Sequence, residues 1–538
     1  MDRSANIRII QGYESHEIGC SPGKSLMEAL LDEGIYINAS CGGNGTCGKC
    51  GVIVLEGNLS ITSQDHSLFH ESELRKGYRL SCQAYPTTPC TIKLQTGDET
   101  GFEAITGFSK SEVTEETEIT KVTKVIEVTG NQEDGYGIAI DLGTTTIAFV
   151  LVNLRNAQVI ASHSTVNKQR AYGADVISRI QASSEGKGQM LRRIVQKDLL
   201  NGINEVFRLS NIEKEYLKHI TIAGNTTMGH LLLGYSCESL GIYPYTPVNI
   251  GITTLDFCEV FQTEDYNIPV TLLPGISTFV GADITAGLLY CDFDQKEEIC
   301  LLIDLGTNGE MAIGNKERIL VCSTAAGPAF EGGNISCGVG SIPGAICSIN
   351  IQPDGNHLQT IQDQSPIGIC GTGVVEIASE LLRNGIMDET GLLEEPYFET
   401  GYLLEGVETD SPSAFGKIIF TQKDIRELQL AKAAIRAGVE LLIQRYGVTY
   451  EEIATIYLAG GFGYKIDISK AVHIGLLPKE FLGKIKTIGN SSLAGASLYL
   501  TEKGNGDRLN DIIRRSEEVS LSKDQDFYDL YIRSMNFE

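Results

Sequence analysis

Cys41-Gly-Gly-Asn-Gly-Thr-Cys47-Gly-Lys-Cys50 sets three thiols within ten residues and separates them by four glycines, and Cys82 follows in Tyr78-Arg-Leu-Ser-Cys82-Gln83. An iron–sulfur cluster needs thiolates that converge on one point, and backbone amides and burial tune its potential. Glycine allows a loop to wrap closely with its amides turned inward, and Thr46 can add a hydroxyl. A structural zinc site is the alternative, although zinc usually takes two Cys-x-x-Cys knuckles, and this segment holds one. Cys90 is a second candidate for the fourth ligand, but it follows Pro89 and lacks the Arg-Leu-Ser-Cys-Gln context. Which thiols would share an iron is not readable from spacing. The other nine of the 14 cysteines show no paired spacing and read as buried, reduced thiols.

A second constellation begins at Asp141-Leu-Gly143-Thr144-Thr145-Thr146 and returns as Asp304-Leu-Gly306-Thr307-Asn308-Gly309. An apolar strand that ends in Asp-x-Gly-Thr and turns into another strand presents amides and hydroxyls to phosphate. Its aspartate can hold Mg²⁺, usually through water. One such hairpin is commonplace, and an ordinary Gly/Thr turn explains either alone. Two can face each other and clamp a triphosphate. Gly460, Gly461, Phe462 and Gly463 follow in Leu-Ala-Gly-Gly-Phe-Gly, a loop whose glycines would let a ring lie against the backbone. Neither a Walker A loop nor a Rossmann fingerprint is present.

The elements that must carry these groups follow from pattern. The chain has 538 residues, 42% of them hydrophobic, which excludes a wholly disordered protein. Its 43 Lys+Arg against 69 Asp+Glu leave a net charge of −26, which argues against nucleic acid and anionic membrane surfaces as partners. Apolar runs such as Ile147–Val152 are far below the roughly 18 residues that span a bilayer, and no secretory leader is legible at the start. A cytoplasmic protein is expected. Residues 1–97 hold the thiol cluster, with short strands at Ile7–Ile10 and Glu17–Cys20 and a helix near Ser25–Asp32. Residues 98–134, rich in Thr, Glu and Lys, form a linker with a possible short strand at Lys121–Val128. Residues 135–297 and 298–538 then repeat one pattern: Ile220–Thr227 echoes Ile456–Gly463, and Val280–Gly287 echoes Ile488–Gly495. Three echoes in one order imply a duplicated α/β unit, too long in period for a solenoid. Thr421-x-x-Asp424 opens one clear helix as a capping box, and Gly447 closes it.

The cysteine spacing resembles the [2Fe–2S] ferredoxins, with five residues between the first two cysteines as in their adrenodoxin branch, and implies an N-terminal α+β domain of the β-grasp type. From Gly135 to Leu500 the order of motifs resembles the ATPase superfamily of sugar kinases, chaperones and actin, which implies two ribonuclease-H-like lobes over Mg-ATP. That resemblance implies roles for Asp141, Asp304 and Asp283 at the phosphates, Asp283 as base or Mg²⁺ partner, with an acidic helix cap as the alternative. It implies nucleotide contacts from Gly143–Thr146, Gly306–Asn308, Gly327, Glu331 and Gly460–Gly463, Glu331 beside the nucleoside, with a plain loop acid as the alternative. Lys168, Arg170 and Arg179 read as solvated surface, and Tyr243–Pro247 as a rigid surface turn.

Further stretches, among them Gly173–Arg179, Ala223–Met228 with His230–Gly234, Pro274–Ser277, Gly327–Gly333 and Cys370–Gly373, are similar to the reductive activators of corrinoid proteins. This resemblance covers most of the chain and implies ATP-dependent transfer of one electron from a [2Fe–2S] centre to Co(II) cobalamin in a corrinoid protein, regenerating Co(I). It implies as partner a corrinoid iron–sulfur protein, or the corrinoid subunit of an O-demethylase or another methyltransferase. It also implies a separate low-potential electron donor and a homodimer through the ATPase part. A small-molecule kinase with a fused redox sensor and a non-enzymatic nucleotide-sensing carrier are the competing readings.

Overall fold

Buried Ala5, Ile7 and Ile9 alternate with exposed Asn6 and Arg8, the period of a half-buried strand. In the computed structural model, which describes residues 5–11, 14–37, 39, 41–94, 107, 135–406, 417–463 and 465–537, that strand is Ala5–Gln11. It pairs antiparallel with Glu14–Cys20 and parallel with Cys90–Leu94. Gly51–Glu56 and Tyr78–Leu80 complete a five-stranded sheet. The helix Leu26–Asp32 buries Leu26, Met27, Ala29 and Leu30 in one core with the sheet. Its start is set locally, because Ser25 Oγ accepts from the Glu28 amide and the Glu28 carboxylate accepts from the Ser25 amide. Such a box is worth about 1 kcal/mol. A mixed sheet crossed by one helix is the expected β-grasp. The expected strand at Lys121–Val128 lies outside the described residues.

The chain gathers into two compact units. The first is drawn from Met1–Thr100, Asn167–Asp198 and Leu231–Tyr245, the second from Gly101–Val166, Leu199–His230 and Thr246–Glu538. The first thus takes in two pieces that belong by sequence to residues 135–297. One of them holds Arg179, which was expected on the surface. It is fully buried and donates to the Gly173 carbonyl at 2.9 Å and to Gln169 Oε1 at 3.3 Å. A guanidinium enters an interior only where fixed acceptors meet its planar fork, and spacing along the chain did not reveal them.

The second unit carries the duplication. Tyr136–Leu142, Thr146–Asn153 and Val159–Val166 form an antiparallel meander, and Leu217–Gly224 runs parallel to the first of them. Ile299–Leu305, Gly309–Gly314 and Ile319–Thr324 repeat the meander, with Ile453–Ala459 parallel to its first strand. Each set belongs to a six-stranded sheet. The central strands read as continuous apolar runs because both faces are covered. Two similar halves result, as the repeats implied, and each has the ribonuclease-H-like form that the resemblance implied.

Helices Ala282–Tyr290 and Ser491–Thr501, the ends of the third echo, join the two halves. A Cβ on Gly287 would lie 2.9 Å from Ser491 Oγ, and one on Gly495 would lie 2.0 Å from the Ala286 carbonyl oxygen. Each helix therefore needs its glycine for the other to approach. Ala139, Val150, Leu302 and Val321 share one core with both helices. The helix Gln422–Tyr446 begins at the Thr421/Asp424 box and ends at Gly447 in the left-handed region, as its sequence signals require. Among the described residues no helix is long and apolar enough to cross a membrane.

Candidate functional site

The thiol loop follows the helix Leu26–Asp32 and ends at strand Gly51–Glu56. Gly42, Gly43, Gly45 and Gly48 all take positive φ, between 64° and 92°, a region that side chains resist. A Cβ on Gly42 would lie 2.9 Å from the Tyr172 carbonyl oxygen, and one on Gly45 would lie 3.0 Å from Gln64 and Gln83 carbons. The loop curls inward on itself as glycine spacing predicted. Gln83 ties it down, donating to the Gly43 carbonyl at 2.6 Å; sequence placed Gln83 next to Cys82 but assigned it no role.

The four thiols fall into two pairs. Cys50 and Cys82 sulfurs lie 3.3 Å apart, and the Cys41 thiol is hydrogen-bonded with Cys47. The Cys47 contact, joined by the amides of Thr46 and Cys47 and the Thr46 hydroxyl, draws Cys41 down to about 4 against the effect of burial. The Cys82 contact draws Cys50 down to about 7, while the same contact and burial push Cys82 up. Two pairs of thiols inside a shell of inward amides fit a two-iron cluster with two thiolates on each iron, the chemistry of a one-electron centre. Cys90 stands elsewhere in the core: burial pushes it up to about 11 and the charge it feels is Cys20. Of the two candidates, Cys82 is the one that stands beside another cysteine of the loop. Of the nine remaining cysteines, Cys258 is exposed and Cys347 only half-buried, so the expectation of burial fails for these two. Cys258 sits on a short surface helix, where the residue spacing held no sign of its exposure.

In the second unit the two hairpins meet tip to tip. Thr145 and Thr307 hydroxyls lie 3.2 Å apart, and Glu331 accepts from both, at 3.0 and 2.8 Å. Thr144 accepts from Asn225 at 2.8 Å. Gly143 is required because a Cβ would sit 2.5 Å from the Thr146 carbonyl oxygen. The Gly306 amide donates to the Asn308 carbonyl at 3.0 Å and closes the second turn. Gly460, at φ 88°, brings its backbone beneath Asp304: a Cβ there would lie 2.7 Å from Asp304 Oδ1. Gly461 and Gly327 face open space, whereas a Cβ on Gly463 would strike the Ala459 carbonyl at 2.4 Å. Phe462 supports this loop from behind, its ring stacked on buried Phe330 at 4.6 Å.

Asp141 is held by the opposite half, and Asp304 by its own. Asp141 accepts from Asn490 at 2.8 Å and from Ser492 at 2.7 Å, and Asp304 from Ser491 at 3.4 Å. Asp283 accepts from the Ile284 amide at 2.9 Å in the first turn of its helix. Burial pushes Asp141 up. Burial and the Asp141 charge push Asp283 up to about 7, and burial with Asp283 and Asp141 does the same for Asp304. Glu310 joins them, raised by burial and by Asp283 and Asp304. Asp283 thus feels Asp141, and Asp304 and Glu310 feel Asp283. Among the described residues no three acids close into a ready metal group, but carboxyls supply only oxygen, the donor type Mg²⁺ prefers, and a hydrated divalent cation would relieve the repulsion. Glu310 was missed in the sequence; the signal was its place opposite Asp304 across the second hairpin. Asn490, Ser491 and Ser492 lay within the noticed echo without being assigned to the site. Lys168 meets Asp198 at 3.7 Å, and Tyr243 and Tyr245 form the expected exposed turn.

Comparison with known proteins matches the regions that carry both sites. The 2Fe-2S iron-sulfur cluster binding domain matches residues 9–87, the RACo middle region matches 136–296, and the C-terminal domain of RACo, the ASKHA domain, matches 298–538. The first of these matches sets zinc aside. The chain is 31% identical to the corrinoid activation enzyme RamQ of Eubacterium limosum, over 99% of each chain. It is 27% identical to the [Co(II) methylated amine-specific corrinoid protein] reductase of Methanosarcina barkeri, over 75% of this chain and 77% of that one. A solved structure of a reductive activator for a corrinoid, iron-sulfur protein superposes with a TM-score of 0.68 at 28% identity, covering 99% of this chain and 98% of that one. With thiol pairs that fit a [2Fe–2S] centre and paired hairpins that fit Mg-ATP, the chain belongs to the RACo family of corrinoid-activating proteins.

Proposed function

We propose that this protein is an ATP-dependent reductive activator: it passes one electron to Co(II) cobalamin in a partner corrinoid protein and restores the Co(I) methyl acceptor. The observation that carries this reading is the presence in one chain of the Cys41/Cys47 and Cys50/Cys82 pairs and of two phosphate hairpins meeting at Thr145 and Thr307. A bound [2Fe–2S] cluster supplies single-electron chemistry at low potential, about −400 mV for plant-type centres.

The residues divide the work. Cys41, Cys47, Cys50 and Cys82 would hold the cluster, and the glycine amides of their loop stabilise its negative charge. Asp141 and Asp304, with Asp283 and Glu310 beside them, would hold Mg²⁺ through water. The hydroxyls of Thr145 and Thr307 and the turns around Gly143 and Gly306 bind phosphate, and the Gly460–Gly463 loop takes the adenosine. Asp141 is bonded from the opposite half by Asn490 and Ser492, so binding and hydrolysis of ATP act on how the halves close. A one-electron shortfall of about 100–200 mV equals roughly 2–5 kcal/mol, within reach of a two-state switch that takes about 5.5 kcal/mol to move from 1:99 to 99:1. Closure would favour a complex in which the corrinoid substrate accepts the electron more readily, and turnover would release the partner.

The partner is a corrinoid iron–sulfur protein or the corrinoid subunit of a methyltransferase or O-demethylase system. A low-potential donor recharges the cluster, the ATPase part forms a homodimer, and the protein works in the cytoplasm. The test is optical. Reduced protein, Mg-ATP and a Co(II) corrinoid protein, mixed without oxygen, should develop Co(I) absorption, with no lasting Co(I) when ATP is left out. Equal Co(I) without ATP would overturn the coupling, and phosphorylation of a small acceptor would favour the kinase reading. Sustained activation over many cycles with a nonhydrolysable analogue would overturn the release step.

A further inference from the structure

The Glu331 carboxylate lies where the two hairpins meet, one oxygen on Thr145 and the other on Thr307. Glu331 ends a short 3₁₀ turn, Pro328–Glu331, that is held firmly in place. A Cβ on Gly332 would sit 2.3 Å from the Val339 carbonyl oxygen, and one on Gly371 would sit 1.7 Å from that of Phe330. Phe330 is anchored further by its stack on Phe462. The carboxylate is thus presented by a fixed backbone to two hydroxyls that come from opposite halves of the duplication.

We propose that Glu331 is an internal competitor for the phosphate site: its carboxylate and the terminal phosphates of a nucleotide contend for the Thr145 and Thr307 hydroxyls, so Glu331 sets the affinity for phosphate-rich nucleotides. The inference rests on the ATP reading above. Both contenders are anions that accept hydrogen bonds, and each hydroxyl has one proton to donate. A bound β- or γ-phosphate must therefore turn the carboxylate away, and like charge prevents the two from sharing the site. With base and ribose on the Gly460–Gly463 loop, as the ATP reading has it, AMP and adenosine do not reach the two hydroxyls and feel no such competition. This differs from a nucleoside contact, in which Glu331 would help every nucleotide equally.

The test is the affinity of Mg-ATP, Mg-ADP and AMP for the full chain and for Glu331→Gln and Glu331→Ala, measured calorimetrically. Competition predicts that both variants bind Mg-ATP about tenfold more tightly, about 1.4 kcal/mol, with AMP affinity unchanged. The Glu331→Gln variant keeps the shape of the turn, so a folding defect in the alanine variant leaves the measurement intact. Weaker binding of ATP and AMP together would overturn the proposal in favour of a nucleoside contact. Unchanged ATP affinity would overturn it while leaving the ATP reading in place. Failure of the wild-type chain to bind any of the three nucleotides would overturn both.

Discussion

Thr145 and Thr307 place their hydroxyls 3.2 Å apart although they are 162 residues apart in sequence and belong to opposite copies of the repeat. A nucleotide clamp needs donors arriving from two sides, and this contact brings them together. Removing either hydroxyl should weaken Mg-ATP binding by about tenfold, the order of one lost hydrogen bond to a charged group. Because the two residues touch and share Glu331, Thr145→Val and Thr307→Val should be non-additive, coupled by about 0.5–3 kcal/mol. A double-mutant cycle on nucleotide affinity checks this, and strict additivity would separate the hairpins functionally.

Cluster content should distinguish Cys82 from Cys90. Cys82→Ala removes the partner 3.3 Å from Cys50 and should abolish the visible absorption and lower the bound iron after anaerobic reconstitution. Cys90→Ala shortens a core side chain next to Cys20, and should keep iron and sulfide at wild-type stoichiometry while costing about 1–2 kcal/mol of stability.

Gly495 should tolerate no side chain. A Cβ there would lie 2.0 Å from the Ala286 carbonyl oxygen, so Gly495→Ala must push the crossing helices apart. Overpacking of this kind costs about 1–3 kcal/mol, seen as a lower urea midpoint. Since the same helices carry Asp283 and the residues that bond Asp141, Mg-ATP hydrolysis should fall as well. Gly506→Ala, at a position open to space and away from the nucleotide loops, serves as the folding control.

Stability should depend on pH through the buried acids. Asp283 and Asp304 are pushed up to about 7, above about 3.9 for a free aspartate. Between these values the folded protein holds protons that the unfolded chain has released, so stability falls as pH rises from about 4 to 7, and this contribution is lost in full above about 7. Denaturation in EDTA across this window should show the fall, Asp304→Asn should flatten it, and Mg²⁺ should offset it at neutral pH. An identical slope in wild type and Asp304→Asn would contradict the assignment.

Short-range features were legible because their causes are short-range. The Ser25/Glu28 and Thr421/Asp424 boxes join residues three apart, the strand at Ala5–Gln11 follows its own alternation, and the loop glycines at 42, 43, 45 and 48 announce its curvature. Glu310 and Glu331 were harder to place, since an acidic residue near a glycine turn has no meaning until strands pair around it. Arg179 was misplaced because charge alone signals surface.

The sequence by itself determined the two chemistries, through four cysteines at cluster spacing and a twice-written Asp-Leu-Gly-Thr, and the duplicated α/β architecture that carries the second. It took the folded chain to show which thiols stand together, that Ser492 reaches Asp141 across 351 residues, and that one carboxylate spans both hairpins. The physical reason is range. Backbone geometry and side-chain period act within a few residues, whereas the meeting of distant side chains is set by how buried surfaces pack, and that packing exists only once the whole core has formed.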